Sequence, residues 1–212
     1  APVGDPDDCA DPWQTFAAEI VDRKSRERDR REAAGGLCGY RPLRMFLLGS
    51  AGTGKSSVIR RIVKVRRQRL VDRGKTRAEV RGCVVLGAPT GSASFQMKHG
   101  ATTVHRMYGV GIHYCGRAKN RHRKCFLARQ RRLTLAKLAI HDEVSMIGRA
   151  FHGKMDFMCE DAIGERARDR FGSRPPSMCG LDVLEVGDLK QATPLGDKGI
   201  YVTGPYKGKG LN

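Results

Sequence analysis

The eight residues Gly49-Ser50-Ala51-Gly52-Thr53-Gly54-Lys55-Ser56 satisfy the pattern G-x-x-x-x-G-K-[ST] at every required position. Few short patterns constrain a fold as tightly. Its glycines let the backbone curl into a concave nest of N–H groups suited to phosphate oxygens. Lys55 supplies a point charge for the outer phosphates, and the Ser56 hydroxyl is a hard ligand for Mg²⁺. Such a loop works between a strand and a helix. Residues 43–48 read as a short buried strand, and Val58, Ile59, Ile62, Val63 and Val65 follow at near-helical spacing. The N-terminus of that helix favours the same anion. Gly49 through Ser56, with Ser57, therefore form the candidate nucleotide set. The competing reading is a glycine-rich turn that merely joins strand to helix.

Three further segments, 83–88, 135–141 and 181–187, are short and rich in Val, Leu and Ile. Helical or irregular stretches separate them, which argues for βαβ units: an α/β fold with a parallel sheet and helices on both faces. A helix is expected from Trp13 to about Ala34, its charged run Arg23–Glu32 read as a solvated face. Residues 1–12 are rich in Asp and Pro and read as loose, and 35–42 as a connector. Residues 110–132 interrupt the alternation with a strongly cationic segment, expected as an inserted loop or helix.

The formal charge of +18, from 40 Lys and Arg against 22 Asp and Glu, exceeds what solubility requires. It points to a polyanion, nucleic acid before a basic membrane patch. No apolar run reaches the length of a membrane span, and the acidic N-terminus is unlike a signal peptide. Seven scattered cysteines lack framework spacing and imply free thiols in a reducing, intracellular compartment. The chain starts at Ala1 and ends in a Gly/Lys-rich stretch, as expected for a piece of a longer protein.

The strand ending at His141 leads into Asp142-Glu143. Ligands of open α/β sheets sit beyond the carboxyl ends of strands, so this pair should face Lys55. Asp142 then holds magnesium through water, and Glu143 orients and deprotonates the water that attacks phosphorus. The plainer alternative is an acidic pair starting a helix. The last strand runs into Gly187-Asp188-Leu189-Lys190-Gln191, a turn that can set Gln191 against the outermost phosphate. The second ends in Pro89-Thr90-Gly91, and Thr103-Val104-His105 follows. Small hydroxylated residues of this kind suit sugar-phosphate contact.

The ordered set GSAGTGKS, APTGSAS, TVH, IHDEVSM and VGDLKQATP resembles the first motor domain of superfamily-one DNA helicases, specifically the petite-integration-frequency (PIF) family, transposon-borne members included. The resemblance spans roughly residues 43–200. It implies a RecA-like P-loop NTPase domain there, after an N-terminal extension (1–42) and before a tail (201–212), with ATP and Mg²⁺ as cofactors. It also implies unwinding with five-prime to three-prime polarity, Gln191 as the coupling glutamine, and Pro89, Thr90, Gly91, Thr103 and His105 along single-stranded DNA. Gln14 is the candidate for the glutamine that reads the adenine edge, although it lies far upstream of the loop. A monomer, a nuclear location (the mitochondrion as alternative), and roles in DNA repair, recombination and telomere maintenance are further family expectations.

Three departures stand out. His141 replaces an aliphatic residue and receives no role. Ala192-Thr193-Pro194 replaces a leucine-proline-proline pattern. Nothing after about residue 200 resembles the second motor domain, which carries the transition-state arginine in the family. The full-length protein is expected to contain that domain, and the fragment is not expected to unwind DNA alone. Competing classes are a small-molecule kinase, a degenerate nucleic-acid-binding remnant, and a zinc module built from His113, Cys115, His122 and Cys125. The spacing of those four ligands departs from familiar zinc patterns, and a basic DNA-facing loop fits it better.

Overall fold

The computed structural model describes residues 11–111 and 123–202. Five strands, β1 (Arg44–Leu48), β2 (Val84–Ala88), β3 (Thr102–Thr103), β4 (Leu138–His141) and β5 (Asp182–Gly187), form one sheet. Its order is β1-β5-β4-β2-β3, with every neighbouring pair parallel. The helices are α1 (Pro12–Ala33), α2 (Lys55–Asp72), α3 (Arg77–Gly82), α4 (Gly91–Met97), α5 (Val104–Tyr108), α6 (Arg123–Leu135) and α7 (Arg149–Phe171).

The two-residue period of the strands sorts their side chains into two cores. Leu86, Ile140, Leu184 and Val186 pack with Val21 of α1 and Val58, Ile59 and Ile62 of α2. Val85, Ala139 and Val183 turn the other way, toward Met107, Leu133, Met155 and Cys159 of α5, α6 and α7. Helices therefore cover both faces, as the alternation of segments predicts.

Three expectations need correction, and one short strand was not expected. Residues 43–48 are not a fully buried strand: β1 is an edge strand, and Phe46 and Leu48 are about half exposed. Residues 135–141 are not all strand, because Leu135 closes α6 and extended structure begins at Leu138. β3, only two residues long, has no periodicity to reveal it. The charged run of α1 is not a solvated face, since Arg28 and Asp29 are 1% and 5% exposed. Each is compensated where it docks. Asp29 accepts from both Arg66 nitrogens at 2.6 and 2.7 Å, while Arg28 donates to the Gly180 carbonyl at 2.7 Å and pairs with Asp182.

Of the cationic segment 110–132, residues 112–122 lie outside the described residues, and the remainder enters α6. The zinc candidates His113, Cys115 and His122 fall in that gap, while Cys125 is exposed on α6. Residues 1–10, within the stretch 1–12 expected to be loose, and 203–212, within the expected tail 201–212, are also outside the described residues. Among the described residues no helix is long and apolar enough to cross a membrane.

Candidate functional site

All strands point the same way, so the carboxyl ends of β1, β4 and β5 open on one sheet edge. There β1 hands the chain to residues 49–54 and then to α2, whose first residue is Lys55. Gly54 sits at φ 78°, a left-handed conformation that glycine adopts freely. The Gly49 N–H donates to the Gly187 carbonyl at 3.1 Å, tying the loop to β5. Lys55 Nζ donates to the Gly49 and Ser50 carbonyls at 2.7 and 2.8 Å, so its ammonium curls back over its own loop.

Gln14 reaches this loop from the first turn of α1. Its Nε2 donates to the Thr53 carbonyl at 3.1 Å across 39 positions of sequence. The missing side chain of Gly54 admits it, since a Cβ there would stand 2.3 Å from that nitrogen.

β4 delivers the two carboxylates. The Asp142 N–H donates to the Gly87 carbonyl at 2.9 Å, and Asp142 Oδ1 accepts from the Glu143 N–H at 3.0 Å. Burial raises the Asp142 pKa, opposed by that backbone bond and by the Lys55 charge. Glu143 is raised too, by burial and by Asp142, against the pull of Lys55. The loop lysine thus acts electrostatically on both carboxylates. Glu143 is held at φ 53° and ψ 45°, a left-handed conformation costing a non-glycine residue about 1 kcal/mol. Glu143 is the N-cap residue of a short 3-10 helix, Val144–Met146, but its side chain makes no capping hydrogen bond.

Gln191 lies in the turn beyond β5, its N–H donating to the Asp188 carbonyl at 3.1 Å. Its side chain is exposed and makes no hydrogen bond to Lys55, Asp142 or Glu143, so it shares the edge without joining the cluster. Pro89-Thr90-Gly91 follows β2, and Thr103 ends β3, at the same end of the sheet. The Thr90 and Thr103 hydroxyls cap α4 and α5, accepting from Ala93 N–H at 3.2 Å and Arg106 N–H at 3.3 Å. His105 rests against Phe151 with ring centroids 4.4 Å apart; burial, then Lys154, lowers its pKa.

His141 is the residue that sequence reasoning passed over. It is fully buried, with Nε2 2.8 Å from the Tyr108 hydroxyl and Nδ1 3.0 Å from Glu185 Oε1. The signal was its position directly before Asp142, within a strand otherwise apolar.

A family model described as PIF1-like helicase matches residues 32–202. The chain belongs to the PIF1-like helicase family. Its α/β architecture is the RecA-like fold of such helicases, and solved Pif1 structures resemble it. The Pif1 helicase of Candida albicans aligns with 89% of this chain at 21% identity and a TM-score of 0.58. Bacteroides sp Pif1 in complex with ADP-AlF4 aligns with 89% at 18% identity and a TM-score of 0.56. Bacteroides Pif1 in complex with ADP-AlF3 and ssDNA aligns with 74% at 22% identity and a TM-score of 0.53. The chain spans about a third of the length of these structures: 34%, 34% and 30% respectively. No curated protein sequence matches this PIF1-like chain.

Proposed function

We propose that this PIF1-like chain is the first motor domain of a DNA helicase. It binds MgATP on residues 49–56, hydrolyses it to ADP and phosphate, and carries single-stranded DNA past Thr90 and Thr103. The observation that carries this reading is the convergence of Lys55, Asp142 and Glu143 on one sheet edge, with the lysine charge felt by both carboxylates. The likeness to a Pif1 solved with ADP-AlF3 and ssDNA supports the same two ligand classes.

The donor set fits magnesium. Ser56 offers an exposed hydroxyl in the first turn of α2, and Asp142 a carboxylate whose burial disfavours its charge unless a cation is near. These two residues would hold the ion, which when bound neutralises charge on the phosphates. Lys55 exchanges its two loop carbonyls for phosphate oxygens. Glu143, with its basicity raised by burial and by Asp142, accepts the proton of the attacking water. Gln14, beside the loop, contacts the base edge, and Gln191 reports on the outermost phosphate. Unwinding, with five-prime to three-prime polarity, requires a second motor domain of the kind that fits within the longer relatives.

The test is ATP turnover by the purified chain with and without oligodeoxythymidine. DNA-stimulated hydrolysis, lost in Lys55→Ala together with nucleotide binding, is the expected result. Phosphoryl transfer to a metabolite without DNA would replace this reading with a kinase, and DNA binding without nucleotide binding or turnover would leave the nucleic-acid-binding remnant.

A further inference from the structure

The far edge of the sheet carries a second cationic feature. β3 pairs only with Gly87 and Ala88, so residues 84–86 of β2 have no strand on their outer side. A cavity of about 500 Å³ opens against them. Three arginines line it from three different helices: Arg67 on α2, Arg81 on α3 and Arg132 on α6. His99 and Thr102 complete the polar wall, and among the described residues no Asp or Glu lines the cavity.

These arginines differ from others in the chain. Arg66, one position from Arg67, has Asp29 as its partner, and Arg129 has Asp161. Among the described residues, Arg67, Arg81 and Arg132 have no carboxylate partner. Arg67 donates to the His99 carbonyl at 3.1 Å, but its buried Nε has no acceptor. Arg132 donates to the Arg106 and Met107 carbonyls at 2.8 and 3.1 Å. Burial lowers the Arg132 pKa, and the Arg106 charge adds to the effect. Arg67 and Arg132 are partly buried and Arg81 is exposed beside them. Bringing the two partly buried cations together over the apolar floor of β2 is unfavourable unless an anion offsets them.

We propose that this cavity binds the sugar-phosphate backbone of a nucleic-acid strand, as a second contact surface continuous with the one at Thr103. The inference rests on the DNA-binding reading above and extends it around the sheet edge. Planar guanidinium groups presented by separate elements match successive phosphates. Thr102 lines the cavity and is followed directly by Thr103 and His105, so a strand lying at those residues has a cationic path beyond them. Recognition here is of backbone, without base readout.

The test is anisotropy titration of labelled oligodeoxythymidines of increasing length with the full chain, at several salt concentrations. The variant is Arg67→Ala/Arg81→Ala, which spares the carbonyl contacts of Arg132. The control is Arg23→Ala/Arg174→Ala, two exposed arginines elsewhere that change net charge equally. The cavity variant should lose about tenfold in affinity for long oligonucleotides and little for the shortest that bind. Its salt slope should fall by roughly 1 to 1.5, at about 0.7 per single-strand phosphate contact. The control should keep the wild-type slope. Equal losses in variant and control, or no loss in either, would overturn the proposal. So would a cavity that takes only inorganic phosphate, seen as phosphate raising the wild-type melting temperature but not the variant's while oligonucleotide affinity is unchanged. Should the double variant fail to fold, Arg81→Glu, at an exposed position, applies the same test. Failure of the wild type to bind any oligonucleotide would instead defeat the motor-domain reading itself.

Discussion

His141 and Glu185 stand opposite one another on neighbouring strands, in register, with Nδ1 and Oε1 3.0 Å apart in the interior. His152 of α7 reaches the same oxygen at 3.2 Å, and the Tyr108 hydroxyl meets the far side of the His141 ring at 2.8 Å. His141 Nδ1 and His152 Nε2 both face Glu185 Oε1, while Glu185 Oε2 has no hydrogen-bond partner among the described residues. Burial alone would raise the Glu185 pKa, but the two histidines overcome it and hold the carboxyl at about 2, below its ordinary 4.5. A depressed carboxylate pKa stabilises the fold above the unfolded value, and that contribution vanishes as pH falls through the folded one. Urea unfolding should therefore show roughly 3 kcal/mol lost between about pH 5 and pH 2 through this residue. Glu185→Gln should be less stable than wild type at pH 7 yet show a shallower decline below pH 5. An unchanged acid slope in the variant would remove the pair from the account.

Gly187 controls the approach of β5 to the turn that carries Glu143. A Cβ at that position would lie 2.9 Å from the Val144 nitrogen, a backbone atom that cannot swing aside. Gly187→Ala should displace the 143–144 turn, cutting ATP hydrolysis by on the order of a hundredfold, as small misplacements of catalytic groups do. Nucleotide affinity should change far less, because Lys55 and the loop amides remain. Parallel measurement of turnover and of nucleotide affinity distinguishes this from general unfolding, which would abolish both.

The segments that carry strands were readable because fully buried strands are built mostly of apolar residues, even where a buried Asp182, Glu185 or His141 interrupts them. β2 and β5 fall within the expected 83–88 and 181–187. Where the same apolar pattern serves a helix and then a strand, as across Leu133–Ile140, composition does not mark the boundary at Lys137. Phe46 and Leu48 look like core residues, and only the position of β1 at the sheet edge leaves them exposed. Gln14 meets the loop because α1 docks on α2, and nothing local to residues 11–20 encodes that distance. The burial of Arg28 depends on Asp182, 154 positions away, and charge patterning alone does not announce such partners.

Asp29 anchors α1 through a bidentate pair with Arg66 and a further bond from Arg73 at 2.9 Å. Removing one member of a buried pair leaves the other charge uncompensated, typically at a cost of 3–5 kcal/mol. Asp29→Ala should lower stability by about that much, read as a reduced urea midpoint with the same m-value. Because Gln14 rides on the same helix, nucleotide affinity should fall as well. Gln14→Ala should lower that affinity alone, leaving the urea midpoint near wild type.

Glu143 and Lys55 act at different stages, and substitution should separate them. In the proposed mechanism Lys55 contacts phosphate in every bound state, so Lys55→Ala should remove binding and turnover together. In the same mechanism Glu143 acts on water and not on the nucleotide, and its side chain makes no capping hydrogen bond. Glu143→Gln keeps the shape and removes the proton acceptor, so nucleotide affinity should stay within about threefold while hydrolysis falls by about 10²–10⁴. Single-turnover hydrolysis alongside equilibrium nucleotide binding checks both halves. Normal hydrolysis by Glu143→Gln would transfer the base role to another group, and a parallel loss of binding would make Glu143 a ligand-holding residue instead.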